Sequence, residues 1–356
     1  MYNNIFNNIL LIFVLFLFNI SSFVYPKFAN NLYHTRSEIN DRFADLLSNC
    51  ENKMQKIDLV NDKDPKQTIQ IYSIESVDLE KSNIKPNIVF MLFGEHSREI
   101  ISSETSLYLA KALCGKIKGY NNSTIKKILS FSKIYILPVL NIYGRDQVDN
   151  GDFCKRTNEN DVDLNRNWNS HWEGLETEGL DTNPGNTPFS EWETKKLKEY
   201  LKVLKPNTFM TSHSGNLGIY SPFAYKKFNY KDLDSNTSNR LNKIKAIISK
   251  VNKDNCNCIS GSIGNDLGYL CPGTCLDYLF ENLNADYSFA FEIYSKERQK
   301  FYEDLINNEN LEYFSYDKFL KKYGRNSLST LTSLIQMKSK MKIMPSILSV
   351  NINIII

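Results

Sequence analysis

Four histidines in 356 residues confine imidazole chemistry to a few places: His34, His96, His171 and His213. An excess of one charge is also missing. The 43 basic and 40 acidic side chains are scattered without a basic block, so there is no electrostatic footprint for nucleic acid. The apolar run from Ile9 to Phe18 falls short of the length a bilayer requires and is followed by the turn-prone Asn19, Ser21, Ser22 and Pro26. It reads as a signal peptide over residues 1–25, which predicts a secreted or secretory-lumen protein with no stable membrane insertion after cleavage. No Lys or Arg precedes the run and no Ala-x-Ala site follows it, so an uncleaved N-terminal membrane anchor stands as the alternative.

The usual Cys-x2-Cys knuckle is absent as well. Seven cysteines are present, at 50, 114, 154, 256, 258, 271 and 275. In an oxidising compartment some are expected to pair, with one left over; a zinc cluster of Cys256, Cys258, Cys271 and Cys275 is the competing reading, and disulfides are preferred. Asn121, Asn122 and Asn236 open Asn-x-Ser/Thr sequons, in keeping with export. No internal repeat and no long linker interrupts residues 33–325, which are expected to form one domain; the tail 326–356 has no acidic residue and no assigned role.

What is present is a globular composition, 42% hydrophobic and 23% charged. Apolar runs bounded by turn residues predict buried strands at Asn87 to Phe93, Lys133 to Val139, Asn207 to Thr211 and Tyr287 to Ile293. Between them, Ser102 to Cys114 and Ser190 to Leu204 carry apolar residues at helical spacing. Such alternation predicts a single α/β domain with a mixed, mainly parallel central sheet flanked by helices.

Two of the histidines follow strands. His96 lies just beyond Ile88 to Phe93 and Gly94, and His213 just beyond Phe209 to Ser212, both at the carboxyl edge where open α/β sheets gather ligands. Glu99 follows His96 by three residues, a spacing that returns its side chain to the same side where a helix starts. Two imidazoles and one carboxylate suit zinc and leave a fourth position for water. Alone, His-x-x-Glu is weak, because a glutamate at a helix start after an unrelated histidine is the commoner cause.

Further motifs follow in order. Asp152-Phe-Cys-Lys-Arg-Thr157 is succeeded by Asp161-Val-Asp-Leu-Asn-Arg-Asn-Trp168, Asn183-Pro-Gly-Asn-Thr-Pro-Phe-Ser-Glu191, Ser212-His-Ser214, Tyr269-Leu-Cys-Pro-Gly-Thr274 with Asp277, and Tyr287-Ser-Phe-Ala-Phe-Glu-Ile-Tyr294. From about Asn87 to Tyr294 the chain resembles the zinc carboxypeptidases of the carboxypeptidase A type. That resemblance implies one Zn2+ per chain on His96, Glu99 and His213, and peptide or protein C-termini as substrate. It implies that Glu292 is the general base, that Asn165 and Arg166 receive the substrate's free carboxylate, and that Tyr269 closes over the substrate. A planar guanidinium such as that of Arg166 binds a carboxylate through two parallel hydrogen bonds.

Arg156 is expected to stabilise the oxyanion, although Cys154-Lys155-Arg156 replaces the family's Trp-Arg-Lys and leaves Lys155 open as the aligned residue. Arg98 is expected to orient substrate or the neighbouring ligands, and Ser214 to line the substrate site. Leu276, before Asp277, matches the floor of the pocket for the departing residue. An apolar floor cannot compensate a charge, so neutral apolar or aromatic C-terminal residues are expected to be preferred. Trp192 stands where the family's Pro-Phe-Ser-Glu motif continues with Pro. The lengths before His96 and after Glu292 are expected to hold neither the folded pro-domain of the family's zymogens nor its extra β-sandwich. Three other readings stay open: an inactive binding protein on the same fold, a zinc amidohydrolase acting on acylated amino acids or wall peptides, and an α/β domain whose histidines only satisfy core hydrogen bonds.

Overall fold

The computed structural model describes residues 33–295, apart from 82–84, 118–121, 175–179 and 254–257. The expected signal peptide, the tail, Asn121 and Cys256 lie outside the described residues. In chain order the elements are α1 (Arg36–Asn49), β1 (Lys53–Val60), β2 (Thr68–Glu75), α2 (Val77–Lys81), β3 (Asn87–Leu92), α3 (Ile100–Leu113), α4 (Asn122–Leu129), β4 (Ser132–Leu137), α5 (Ile142–Asp149), α6 (Trp192–Leu204), β5 (Thr208–Gly215), β6 (Gly218–Ser221), α7 (Ser235–Val251), β7 (Ile259–Ser262), α8 (Cys275–Glu281) and β8 (Tyr287–Ser295).

The eight strands form one sheet in the order β1-β2-β4-β3-β5-β8-β6-β7. The pairs β3–β4, β3–β5, β5–β8 and β6–β7 are parallel, and β1–β2, β2–β4 and β6–β8 are antiparallel. This is the expected mixed sheet with a parallel centre. The expected strands and helices recur as β3, β4, β5, β8, α3 and α6 within a few residues at their ends, while β1, β2, β6, β7, α1, α2, α4, α5, α7 and α8 had no counterpart in the sequence reading.

Because strand side chains alternate, each central strand feeds two cores. Val89, Met91, Ile134, Ile136, Met210, Phe289 and Phe291 join Leu107 and Leu113 of α3 and Leu241 and Ile244 of α7 on one face. Phe90, Leu92, Leu137 and Phe209 meet Leu197 and Leu201 of α6 and Leu279 of α8 on the other. Leu197 and Leu201 are fully buried, each worth roughly 1.5–3 kcal/mol of transfer free energy. Thr35 caps α1, its hydroxyl accepting from the Glu38 amide while the Glu38 carboxylate accepts from the Thr35 amide.

A disulfide joins Cys50, after α1, to Cys114, after α3, as expected of paired cysteines. Cys258 is also disulfide-bonded. Pairing does not extend to Cys154, Cys271 and Cys275, which are free thiols. The latter two are buried, Cys271 in a small apolar cluster and Cys275 facing Glu95, so the four-cysteine zinc cluster is not assembled.

Candidate active site

β3 ends where Gly94 takes a left-handed conformation, φ +61°. A Cβ there would come within 2.9 Å of the Ser103 hydroxyl and the Val139 backbone, so only glycine turns the chain here without strain. The Ser102 hydroxyl donates to the Ser212 carbonyl at 2.7 Å and accepts from the Gly94 amide at 3.1 Å. This ties the ends of β3 and β5 together and brings His96 and His213 to one edge of the sheet.

Glu99 sits immediately before α3, and its Oε1 lies 2.8 Å from His96 Nδ1. His213 Nδ1 lies 3.0 Å from Glu99 Oε2 and 3.0 Å from His96 Nδ1. Among the described residues, His96, Glu99 and His213 form the group arranged to hold a metal ion, with all three buried. Their outer nitrogens are engaged elsewhere. His96 Nε2 is 3.0 Å from Asp163 Oδ1, and His213 Nε2 is 3.0 Å from Thr211 Oγ1. Facing imidazole nitrogens with a carboxylate between them fit zinc, whose ~2.0–2.1 Å bonds in a tetrahedron place donor atoms ~3.3 Å apart.

Asp163 is fully buried. Burial opposes its ionisation, but Arg156, then His96 and Arg166, hold its carboxyl well below the usual carboxylate range. Arg156 donates to Asp163 Oδ2 from Nε at 3.1 Å and from Nη2 at 2.8 Å, and its Nη1 reaches Glu99 Oε1 at 3.5 Å. Lys155 instead turns to Asp161, with Nζ 2.5 Å from Oδ1. Of the two cations left open by the sequence, Arg156 therefore faces the centre.

Glu292 stands opposite His213 in the β5–β8 register, and its Oε2 accepts from the Asn216 amide at 3.3 Å. Burial, then the charge of Glu99, pushes it up to about 7, against the pull of His213. Tyr269 is half exposed, on the loop ahead of α8. Its phenol is raised above its ordinary value by burial first, with Cys271 and Glu292 adding to that and Arg166 and Arg156 opposing. Ser214 donates its amide to Glu99 Oε2 at 3.1 Å.

Other expected residues are placed differently. The Asn165 amide is turned inward, its Oδ1 accepting from the Cys275 amide at 3.0 Å and its Nδ2 lying 3.3 Å from His213 Nε2. Arg166 is partly buried and donates from Nη1 to the Asn165 carbonyl at 2.8 Å. Arg98 donates to Asp181 at 2.9 Å and to the Cys154 carbonyl at 3.4 Å, which ties two loops together at the rim. Leu276 is buried with Tyr220, Ala224, Ile263, Cys271 and Ala290, on the face of β8 that also carries Glu292. Asp163 and Glu95 had no role in the sequence reading; their only signal was adjacency, one inside the Asp161 to Trp168 motif and one directly before His96.

An eight-stranded mixed sheet carrying a two-histidine, one-glutamate centre at its carboxyl edge defines a class of single-metal α/β proteins. The family model described as zinc carboxypeptidase matches residues 57–318, and the chain belongs to that family. It is 26% identical over 290 residues to carboxypeptidase B2 of Bos taurus, covering 76% of this chain and 64% of that protein. With carboxypeptidase O of Bos taurus it shares 29% identity over 232 residues, 60% of this chain and 59% of that protein. The chain thus spans less than two thirds of either relative. The carboxypeptidase A structure from Helicoverpa armigera superposes with a TM-score of 0.60 at 18% identity, covering 87% of this chain and 74% of that one, which shows the shared fold.

Proposed function

We propose that this chain is a zinc-dependent metallocarboxypeptidase that hydrolyses the C-terminal peptide bond of peptides or proteins. The observation that carries this reading is the convergence of His96, Glu99 and His213 beside a carboxylate, Glu292, that has no ligand position of its own. When bound, the metal supplies Lewis acidity, making a water molecule acidic near neutral pH and polarising a carbonyl.

The chain's own residues do the rest. Glu292 takes a proton from the attacking water and returns it to the leaving amine. Arg156, kept charged by Asp163 and Glu99 against the effect of burial, stabilises the oxyanion. Arg166 receives the substrate's terminal carboxylate, and Tyr269 closes over it. The apolar cluster around Leu276 takes the departing side chain, which favours neutral apolar or aromatic residues. The catalytic unit is assigned to residues 33–325, and the Cys50–Cys114 disulfide supports secretion after removal of residues 1–25. No helix among the described residues is long and apolar enough to cross a membrane.

The test is incubation with a short N-blocked peptide ending in Phe or Leu, with released amino acid followed by mass spectrometry. Stepwise release that 1,10-phenanthroline and Glu292→Gln abolish is the expected result. A zinc-loaded chain that releases nothing from peptides with apolar, basic or acidic ends would overturn the reading.

A further inference from the structure

Glu95 is a buried carboxylate that the chemistry above leaves unused; it is 1% exposed. Its Oε1 lies 3.3 Å from Trp168 Nε1. Its Oε2 lies 3.3 Å from Thr211 Oγ1, 3.4 Å from Cys275 Sγ and 3.4 Å from His213 Nε2. None of these partners is a lysine or an arginine. A carboxyl group removed from water must be met by hydrogen-bond donors, so its placement asks for a route by which donors reach Oε2.

The hydrogen-bond inventory around His213 supplies that route. With Nδ1 turned toward His96 and Glu99 as a lone-pair donor, the imidazole carries its hydrogen on Nε2. Three groups surround Nε2: Thr211 Oγ1 at 3.0 Å, Asn165 Nδ2 at 3.3 Å and Glu95 Oε2 at 3.4 Å. The Asn165 nitrogen is itself a donor, since its Oδ1 already accepts from the Cys275 amide, and cannot receive this hydrogen. The acceptors are therefore Thr211 and Glu95. Thr211, having accepted from Nε2–H, has its own hydroxyl hydrogen free for Glu95 Oε2. On the opposite ligand, His96 Nε2 meets Asp163 in the same way.

We propose that Glu95 is a positioning residue for the metal centre: through Thr211 and directly, it holds the His213 ring with Nδ1 aimed at the ion and raises that nitrogen's basicity. Each imidazole of the pair then has its own buried carboxylate, Asp163 behind His96 and Glu95 behind His213. Trp168 and Cys275 fix Glu95 in turn, so the Asp161 to Trp168 segment and the start of α8 both bear on the geometry of a ligand carried by β5. The inference rests on the zinc reading of this site.

The test measures zinc affinity by competition with a chromogenic chelator for wild type, Glu95→Gln and Thr211→Val, beside circular dichroism and the melting temperature of each metal-free protein. Outer partners of metal-binding histidines contribute about 10–100-fold in affinity, and a loss in that range is expected for Glu95→Gln with a native spectrum. Thr211→Val, which keeps shape and removes the bridging hydroxyl, is expected to weaken zinc in the same direction and decides the matter if Glu95→Gln does not fold. Zinc affinity within twofold of wild type in a folded variant, or a loss of metal-free stability alone, overturns the proposal; so does a wild-type chain that binds no zinc. Glu95-dependent zinc binding without amino-acid release from any peptide would instead sink the peptidase reading and leave this inference standing.

Discussion

His213 and Glu292 stand opposite one another on the parallel strands β5 and β8, so the second imidazole of the triad and the free carboxylate rise from one face of the sheet. The ladder itself sets their separation. A strand pair does not adjust to substrate as a loop does, and this suits a proton carrier that must stay at a fixed distance from the metal centre.

Glu292→Gln keeps the shape of the side chain and removes its capacity to carry a proton. Its kcat/KM on a Phe-ended peptide is expected to fall by about 10²–10⁴-fold. Zinc content measured on the same sample should remain near one per chain. An active Gln variant would assign the proton transfer elsewhere.

The cluster around Leu276 offers a test of specificity. Leu276→Asp places a carboxylate in an apolar setting, where a Lys or Arg side chain of the substrate would compensate it. Activity on basic C-termini should rise while activity on Leu falls; a profile that stays flat would remove Leu276 from the pocket. Tyr220 fills part of the same cluster, and its buried hydroxyl has no partner among the described residues. Tyr220→Leu is expected to lower KM for bulky C-terminal residues more than for Ala.

Stability should decline on the alkaline side through Glu193, the second residue of α6. It is fully buried, and both its carboxyl oxygens lie 3.4 Å from the Asn158 side-chain nitrogen. Burial first, then the neighbouring charge of Glu191, pushes its carboxyl up to about 8. A folded-state value above the unfolded one means the folded protein binds the extra proton. That contribution is complete below the unfolded value near 4.5 and is lost as pH rises toward 8. Between pH 6 and 8 the loss is on the order of 1–3 kcal/mol. Melting temperatures across this range should drop more steeply for wild type than for Glu193→Gln, and parallel curves would exclude Glu193 as the source.

The Cys50–Cys114 bridge closes a loop with a sequence separation of 64. Constraint of the unfolded chain by a loop of that size is worth about 4 kcal/mol in the entropic account. Cys50→Ser with Cys114→Ser should lower the denaturant midpoint accordingly without moving KM, because both residues lie at helix ends outside the metal centre. A change in KM at unchanged stability would contradict that placement.

Sequence by itself picked out the His96, Glu99 and His213 group and the central strands, and pointed to Glu292 as the candidate general base. His96 with Glu99, Asn165 with Arg166, and Glu292 on an alternating strand are local patterns, and local patterns survive in one dimension. The strands and the α6 face were legible for the same reason, since the apolar run of β3, the alternation in β8 and the helical spacing of α6 are properties of single segments. Only the tertiary structure turned Arg156 rather than Lys155 toward the His96, Glu99 and His213 group. Adjacent side chains leave the backbone in different directions, and which one meets Asp163 depends on the path of the loop.

The placement of Asp163 behind His96 and of Glu95 behind His213 likewise exists only in space. Glu95 meets Trp168, Thr211 and Cys275 across 73, 116 and 180 residues of chain, contacts between segments that share no local period. The same holds for the cysteines: the sequence left open which of the seven pair, and in the fold Cys271 and Cys275 are free thiols directed into different parts of the interior. Direction and burial, which depend on packing against distant segments, are what one dimension cannot carry.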